Sequence, residues 1–391
     1  MSLKRRFGFL WLASTLAVFG ASALFNRLVD PYGLYPSPRW SGVNAVKARP
    51  DRPLGDIKLV NALRMRPEVV ILGNSRADIG LDPAHPALKG QKTYNLAVPG
   101  SAISASARQL ETLLAAGIRP RLLIIGVDFF DYLDDSPPPA SPPADDWDNR
   151  ELRLRLQGLF TLASLGDSLA TLQAQRAAFP ATIRDDGFNP LLDYVALART
   201  DGYFALFRQR GLEYARRLKG GKWPADPRAT ASHRAVERLL ALARGNGIRV
   251  EMAIYPYHAQ IFGLLDRYGL LPAFAAWQAA MGDTVNRAAA AGTAVRLWDF
   301  ALADESAAEA IPAPRDRQST TRWYWEAGHF KAALGDRMLE RMLSPASSAG
   351  FGRLMGPATG TPAELGERLQ AVLREHPDEA RDVIEIVRAT R

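Results

Sequence analysis

Five short apolar runs alternate along this chain with stretches of helical spacing, and that alternation constrains its fold more than any other feature. The runs are residues 68–72, 93–98, 121–128, 249–255 and 294–300. Leu122-Leu123-Ile124-Ile125 has no polar face, which suits a parallel strand covered on both sides. Between the runs, residues 103–116 place Ile103, Ala107, Leu110 and Leu114 on one helical face and stop at Gly117. Residues 229–246 read as a helix stopped at Gly247, and residues 261–291 as two helical pieces broken around 269–272. Strand–helix alternation of this kind predicts an α/β fold. The expected form is an open, mostly parallel five-stranded sheet with helices on both faces, a three-layer α/β/α sandwich with right-handed crossovers.

Two stretches depart from the alternation. Residues 136–146 are rich in Pro and Asp and read as a mobile loop. Residues 150–217 show helical patterns only, and read as a helical insertion serving as a lid or a docking surface. Thr361-Pro362-Ala363-Glu364 has the form of a capping box opening a charged terminal helix. The expected organisation is therefore a leading segment over 1–25, an α/β domain over 26–345, and a solvated helical appendage over 346–391.

The leading segment is Lys4-Arg5-Arg6 followed by nineteen uncharged, mostly apolar residues, 7–25. A helix of that length crosses a hydrocarbon core of about 30 Å. Its basic flank stays cytoplasmic, so the remainder is exported. The expected location is the inner membrane, single-pass, with the bulk of the chain periplasmic. Ala21-Ser22-Ala23 resembles a cleavage site, so a removed signal peptide is the alternative; the length of the run favours an anchor. A buried soluble helix is a third reading, disfavoured by the basic flank. The chain has no cysteine among its 391 residues, which excludes a disulfide framework, thiol catalysis and Cys-based metal sites. The net charge of +8 suits an anionic surface or an acidic polymer. No basic block interleaved with aromatics points to nucleic acid.

Ile71-Leu72-Gly73-Asn74-Ser75-Arg76 puts a hydroxyl just past the carboxyl end of the first strand, where α/β proteins bind ligands. There it meets the unpaired N–H groups of a helix start. A serine nucleophile needs a base, usually a histidine oriented by a carboxylate. Of five histidines, His85, His233 and His376 read as surface residues. His258 follows the fourth strand at the sheet edge of Ser75, which makes it a candidate for substrate binding or for a packing role. His329 is the strongest base candidate. Glu326 lies three residues before it, so one helical turn would bring the two together. The N–H groups of Ser75 and Gly100 are candidate oxyanion donors. Asp128, closing the third strand, is a candidate for substrate contact or for capping the next segment, and Arg76 is a further candidate for substrate contact. No clustered His or Asp motif suggests a metal, and no phosphate-binding glycine pattern suggests a nucleotide, so no cofactor is expected.

Gly73-Asn74-Ser75, Gly100 and Glu326-Ala327-Gly328-His329 together resemble the blocks of the SGNH (GDSL-like) hydrolase superfamily, with Asn for Asp in the first block and Glu for Asp in the last. The resemblance spans about residues 66–130 and 228–345 and implies a flavodoxin-like sheet. It implies Ser75 as nucleophile, His329 as base and Glu326 as its orienter. The third-block asparagine has no counterpart beside Gly126-Val127-Asp128, and Asn74 is the candidate to replace it as an oxyanion donor. The layout is similar to that of anchored, exported proteins that handle acyl groups on envelope polymers. By that analogy the expected partners are a polysaccharide or other acyl-bearing polymer and a membrane-bound acyltransferase. The alternative is a catalytically inactive scaffold or glycan-binding accessory protein.

Overall fold

The computed structural model describes residues 3–50, 54–133, 147–301, 305–344, 350–356 and 362–390. Each of the five apolar runs forms a strand. These are β2 (Val69–Leu72), β3 (Thr93–Asn95), β4 (Leu122–Val127), β6 (Arg249–Ile254) and β7 (Val295–Asp299). All five are parallel, and every residue of β2, β3 and β4 is buried. A sixth strand, β10 (Arg353–Leu354), was not anticipated. It pairs antiparallel with β7, Arg353 opposite Asp299, so the sheet has six strands instead of five.

The order β10-β7-β6-β4-β2-β3 has a topological consequence. From β2 the chain moves to one side, to β3, and from β4 it moves to the other, to β6. The carboxyl ends of β2 and β4 therefore flank a crevice that no connection covers, the place where α/β sheets bind ligands. Ser75 follows β2 and Asp128 follows β4.

The remaining elements are α1 (Leu3–Val29), β1 (Lys47–Ala48), α2 (Leu54–Met65), α3 (Ser75–Gly80), α4 (Ile103–Ala115), α5 (Trp147–Phe160), α6 (Leu162–Ala174), β5 (Thr182–Ile183), α7 (Leu192–Asp201), α8 (Tyr203–Gly220), α9 (Ala231–Gly245), α10 (Ala259–Arg267), α11 (Leu271–Ala290), β8 (Tyr324–Glu326), β9 (His329–Phe330), α12 (Ala332–Leu343), α13 (Pro362–Glu375) and α14 (Pro377–Ala389). Helices α4 and α9 fall where their spacing predicts them, and α9 is capped by Thr230, whose Oγ1 accepts the N–H of His233 at 3.0 Å. The predicted two-piece helix is α10 and α11, separated at Tyr268-Gly269-Leu270. The inserted region is not purely helical: β5 pairs antiparallel with β1, Lys47 opposite Ile183. The loop expected over 136–146 lies outside the described residues, as does Thr361 of the capping box.

The carboxyl-terminal region is not a solvated appendage. It is two helices broken at His376-Pro377, and they bury Leu365, Leu369, Val383 and Ile386 against α8, α10 and α11. At the other end, α1 exposes Phe7, Phe9, Leu10, Trp11, Leu16 and Phe19, so it is no core helix. It is long and apolar enough to cross a membrane, features that a signal sequence shares.

Six residues make too short a helix to stand alone, so α3 depends on tertiary contacts. One is a fully buried ion pair between Asp78 and Lys58 of α2. Lys58 also donates to the carbonyl of Ala97 at 2.6 Å, and Asp78 accepts from Asn189 Nδ2 at 3.0 Å. Burial pulls the Lys58 pKa down, and the Asp78 carboxylate opposes it. Removing one member strands a charge in the core. Lys58→Met or Asp78→Asn is expected to lower stability by about 3–5 kcal/mol. Lys58→Met combined with Asp78→Leu is expected to recover most of it, as read by urea unfolding.

Candidate active site

The turn out of β2 is set by sterics. Gly73 has φ +146°, and a Cβ there would stand 2.4 Å from Tyr255 Oη and 3.0 Å from Ala77 Cβ. Asn74 then caps α3, its Oδ1 accepting the N–H of Arg76 at 3.1 Å. Ser75 is the first helical residue. Its Oγ lies 2.7 Å from Nε2 of His329, 254 positions away in sequence.

His329 arrives on a β-hairpin, not on the expected turn of helix. Strands β8 and β9 run antiparallel with Glu326 directly opposite His329 and Ala327-Gly328 as the loop. A cross-strand pair and a helical i,i+3 pair both bring side chains together, so the spacing alone could not separate them. The loop is tight: a Cβ on Gly328 would meet Tyr214 Oη at 2.5 Å. Glu326 Oε1 bonds His329 Nδ1 and lies 3.2 Å from Arg210 Nε, while Oε2 accepts the N–H of Gly328 at 2.8 Å. Burial would raise the Glu326 pKa, but the His329 imidazole, Arg210 and the Gly328 N–H outweigh it and bring it down to about 2. An ionised carboxylate on Nδ1 keeps the proton there and turns the Nε2 lone pair toward the serine. Hydroxyl, imidazole and carboxylate thus form one hydrogen-bonded chain, an arrangement able to draw a proton from Ser75 Oγ.

Arg76 holds this arrangement together: it lines the cleft with Asn74 and Asp128, and protein groups engage its guanidinium. Its buried guanidinium pairs with Asp128 and bonds Tyr214 Oη, and its Nε donates to the carbonyl of Gly328 at 2.6 Å. Asp128 is equally committed. It accepts from Asn74 Nδ2 at 2.6 Å, Tyr257 Oη at 2.6 Å and the Phe130 N–H at 3.0 Å. Burial pushes Asp128 up, yet Arg76 and these donors hold its pKa below the ordinary value. The Asn74 amide, expected as an oxyanion donor, is spent on Asp128. His258 is fully buried and outside the cleft. Its Nδ1 caps α10 by accepting the Gln260 N–H at 3.2 Å, and its Nε2 bonds the Glu309 carbonyl at 2.8 Å. Burial takes its pKa down to about 4, so it is neutral at physiological pH. His85 and His233, expected on the surface, are buried as well, His233 bonded to Thr284 Oγ1 at 2.9 Å.

Ser75 and His329 open on a cleft of about 520 Å³ whose lining includes Gly100, at φ +70°. The N–H groups of Ser75 and Gly100 have no partner among the described residues. The cleft has lining residues that sequence reasoning missed. Arg210, Tyr214 and Arg217 come from α8, Arg108 from α4 and Asp131 from the segment after β4. Positions 210, 214 and 217 recur at helical spacing, the one signal in the inserted region that could have assigned them a common face. Burial and the neighbouring Asp128 charge push the Asp131 carboxyl well above its ordinary pKa. Among the described residues no group of three or more His, Asp or Glu side chains is arranged to hold a metal. No protein-family model matches the chain, and no curated protein matches it.

Two outcomes are expected. Arg76→Met is expected to lower stability by about 3–5 kcal/mol in urea unfolding, because Asp128 is left buried and unpaired. Arg76→Lys is expected to recover little, since an ammonium lacks the planar fork that reaches three acceptors. The Glu326 carboxyl titrates near its ordinary 4.5 when unfolded and about 2 when folded. Its contribution is therefore complete above about pH 4.5 and lost as pH falls through about 2. The difference in unfolding free energy between the native chain and Glu326→Gln is expected to be constant at neutral pH and to close across that window.

Proposed function

We propose that this chain is a serine-dependent acyl-ester enzyme of the SGNH-like type, anchored in the inner membrane by α1 with its bulk in the periplasm. The single observation behind this reading is the 2.7 Å contact between Ser75 Oγ and His329 Nε2, backed by the Glu326 carboxylate. Ser75 Oγ attacks the acyl carbonyl while its proton passes to His329 Nε2. The oxyanion is met by the N–H groups of Ser75 and Gly100. On collapse the leaving alkoxide takes the proton from His329 and departs as an alcohol. Water or a sugar hydroxyl then gives its proton to His329, attacks the acyl-serine, and restores Ser75. Whether water or the sugar wins depends on how the cleft excludes one and seats the other.

The acyl group in this reading is acetyl, and the acceptor or donor is an exported glycan or other envelope polymer. A membrane-bound acyltransferase is the proposed neighbour. These assignments rest on the layout of the chain and its resemblance to the SGNH superfamily. The three-layer arrangement of helices about the sheet belongs to the same reading.

A non-catalytic scaffold is the second reading, favoured by one observation. The Asn74 amide that would replace the missing third oxyanion donor is bonded to Asp128.

A fluorophosphonate probe separates the two. The enzyme reading expects labelling that Ser75→Ala abolishes. It also expects turnover of an activated acetyl ester to fall by about 10⁴-fold or more in Ser75→Ala and His329→Ala, with the thermal midpoint unchanged. A folded native chain that neither labels nor turns over acetyl esters would make it a scaffold.

A further inference from the structure

We propose that the hairpin of α5 and α6 dips its tip into the membrane leaflet around the carboxyl end of α1, so that the protein meets lipid at two places. The proposal rests on the anchor reading of α1.

The first observation is the pattern of exposure. Phe160 and Leu162, at the tip, are 52% and 86% exposed, and Leu152, Leu156 and Leu169 on the two arms are exposed too. Residues 156–166 carry no charge. A soluble protein would cover or charge such a tip, and an apolar patch of this kind marks a contact surface.

The second observation is what lies beside it. The tip is tied to the last turn of α1 through Asn26, buried where the uncharged run 7–25 ends and just before Arg27. Asn26 Nδ2 donates to the Leu159 carbonyl at 2.9 Å and to Ser164 Oγ at 3.1 Å, and Ser168 Oγ donates to Asn26 Oδ1 at 2.8 Å. About twenty residues of α1 fill the hydrocarbon core. Counted from residue 7, that places Asn26 at the far interface and the apolar tip at the same depth. The apolar surface of the hairpin therefore continues that of α1, which identifies lipid as its occupant.

The third observation concerns the polar groups of the bend. Several polar groups of the bend find partners within the protein, as those of a segment in contact with lipid need to. Thr161 Oγ1 donates to the Gln157 carbonyl at 2.9 Å and accepts the Ser164 N–H at 3.1 Å. The Thr161 carbonyl accepts Ser164 Oγ at 2.8 Å and the Leu165 N–H at 3.2 Å. Leu159, near the end of α5, has its carbonyl satisfied by Asn26. Charged groups begin again just beyond, with Arg155 paired to Glu151 at 2.6 Å and Asp167 bonded by Tyr32 Oη, at the depth expected of headgroups.

The absence of native cysteine makes the test direct. Single Phe160→Cys, Leu162→Cys, Leu16→Cys and Leu354→Cys variants of the full chain are labelled with an environment-sensitive fluorophore. They are then reconstituted in phosphatidylethanolamine–phosphatidylglycerol vesicles. An unchanged thermal midpoint identifies variants that keep the fold, and Leu156→Cys replaces any tip variant that does not. Quenching by acyl-chain nitroxides is compared with quenching by aqueous iodide. The expected result is several-fold stronger lipid quenching, with protection from iodide, at 160 and 162 as at 16, while 354 behaves as a water-exposed control. Lipid quenching at 16 with water-like behaviour at 160 and 162 overturns the hairpin contact and leaves the anchor intact. Water-like behaviour at all three positions overturns both. Lipid quenching at 160 and 162 without it at 16 removes the anchor reading and with it the placement of the tip around the end of α1, and so overturns the proposal.

Discussion

The buried guanidinium of Arg76 is the contact on which the arrangement of Ser75 and His329 depends. It reaches Asp128 at the end of β4, the Gly328 carbonyl in the β8–β9 loop, and Tyr214 on α8. These groups come from chain segments far apart in sequence, and Arg76 follows the serine directly. A cation out of water is tolerated only where a partner charge and well-placed acceptors replace its hydration. That demand makes the cluster directional. Moving the hairpin away from α3 would break the bond to Gly328, and moving β4 would strand Asp128. The distance between hydroxyl and imidazole is thus set by a charge neither of them carries.

The same logic holds the other side of α3. Asp78 is fully buried and paired with Lys58, which also bonds the Ala97 carbonyl at the exit of β3. A six-residue helix gains little from its own hydrogen bonds. Here it is fixed by a cation pair on each side, one facing the hairpin and one facing α2. Sterics finish the placement. Gly73 lets the chain turn under Tyr255, and Gly328 lets the hairpin loop lie against Tyr214. A side chain at either position would force serine or histidine out of register.

Much of the fold was legible because its signal is periodic. Strands β2 and β4 are continuous apolar runs, β6 and β7 are apolar runs interrupted by Glu251 and Arg296, and helices such as α4 and α9 carry an apolar stripe, so these could be read locally. The two-residue strands β1, β5 and β10 have no period to detect and exist only through their partners. Strand context and spacing singled out Ser75, His329 and Glu326, which the structure brings together, though the spacing suggested a helical turn where a hairpin stands. Arg76, Asn74, Asp128 and His258 are residue types that serve a substrate or a buried network equally well, and for Asp128 and His258 a capping or packing role was one of the two readings the sequence left open. Only burial and partners tell which: Asn74 and Asp128 bond each other, and His258 caps a helix in the core.

The inserted region shows why a helical pattern alone does not assign a role. Helix α8 buries Tyr203, Phe207, Gly211, Tyr214 and Leu218 along one stripe, which makes it a core helix of the domain. Turned slightly from that stripe, Arg210 and Arg217 reach the cleft, and Arg210 contacts the same carboxylate that orients His329. Earlier in the chain, α6 buries Ser164, Ser168 and Thr171 along one face and leaves Leu162 and Leu169 outward, while α5 buries Trp147 and Leu154 and exposes Leu152 and Leu156. Leucines at helical spacing therefore mean opposite things in the two places. In α8 the apolar stripe meets protein on its buried side, and its polar edge supplies the cleft. In α6 the small polar residues Ser164 and Ser168 face protein, through Asn26, and Leu162 and Leu169 face away. An inverted helix of that kind is stable in water only at the expense of exposed hydrocarbon, and its polar seam has to be packed inward against a helix that offers a matching amide. Asn26 is that amide, which is why one polar residue at the end of an apolar helix decides where the hairpin sits.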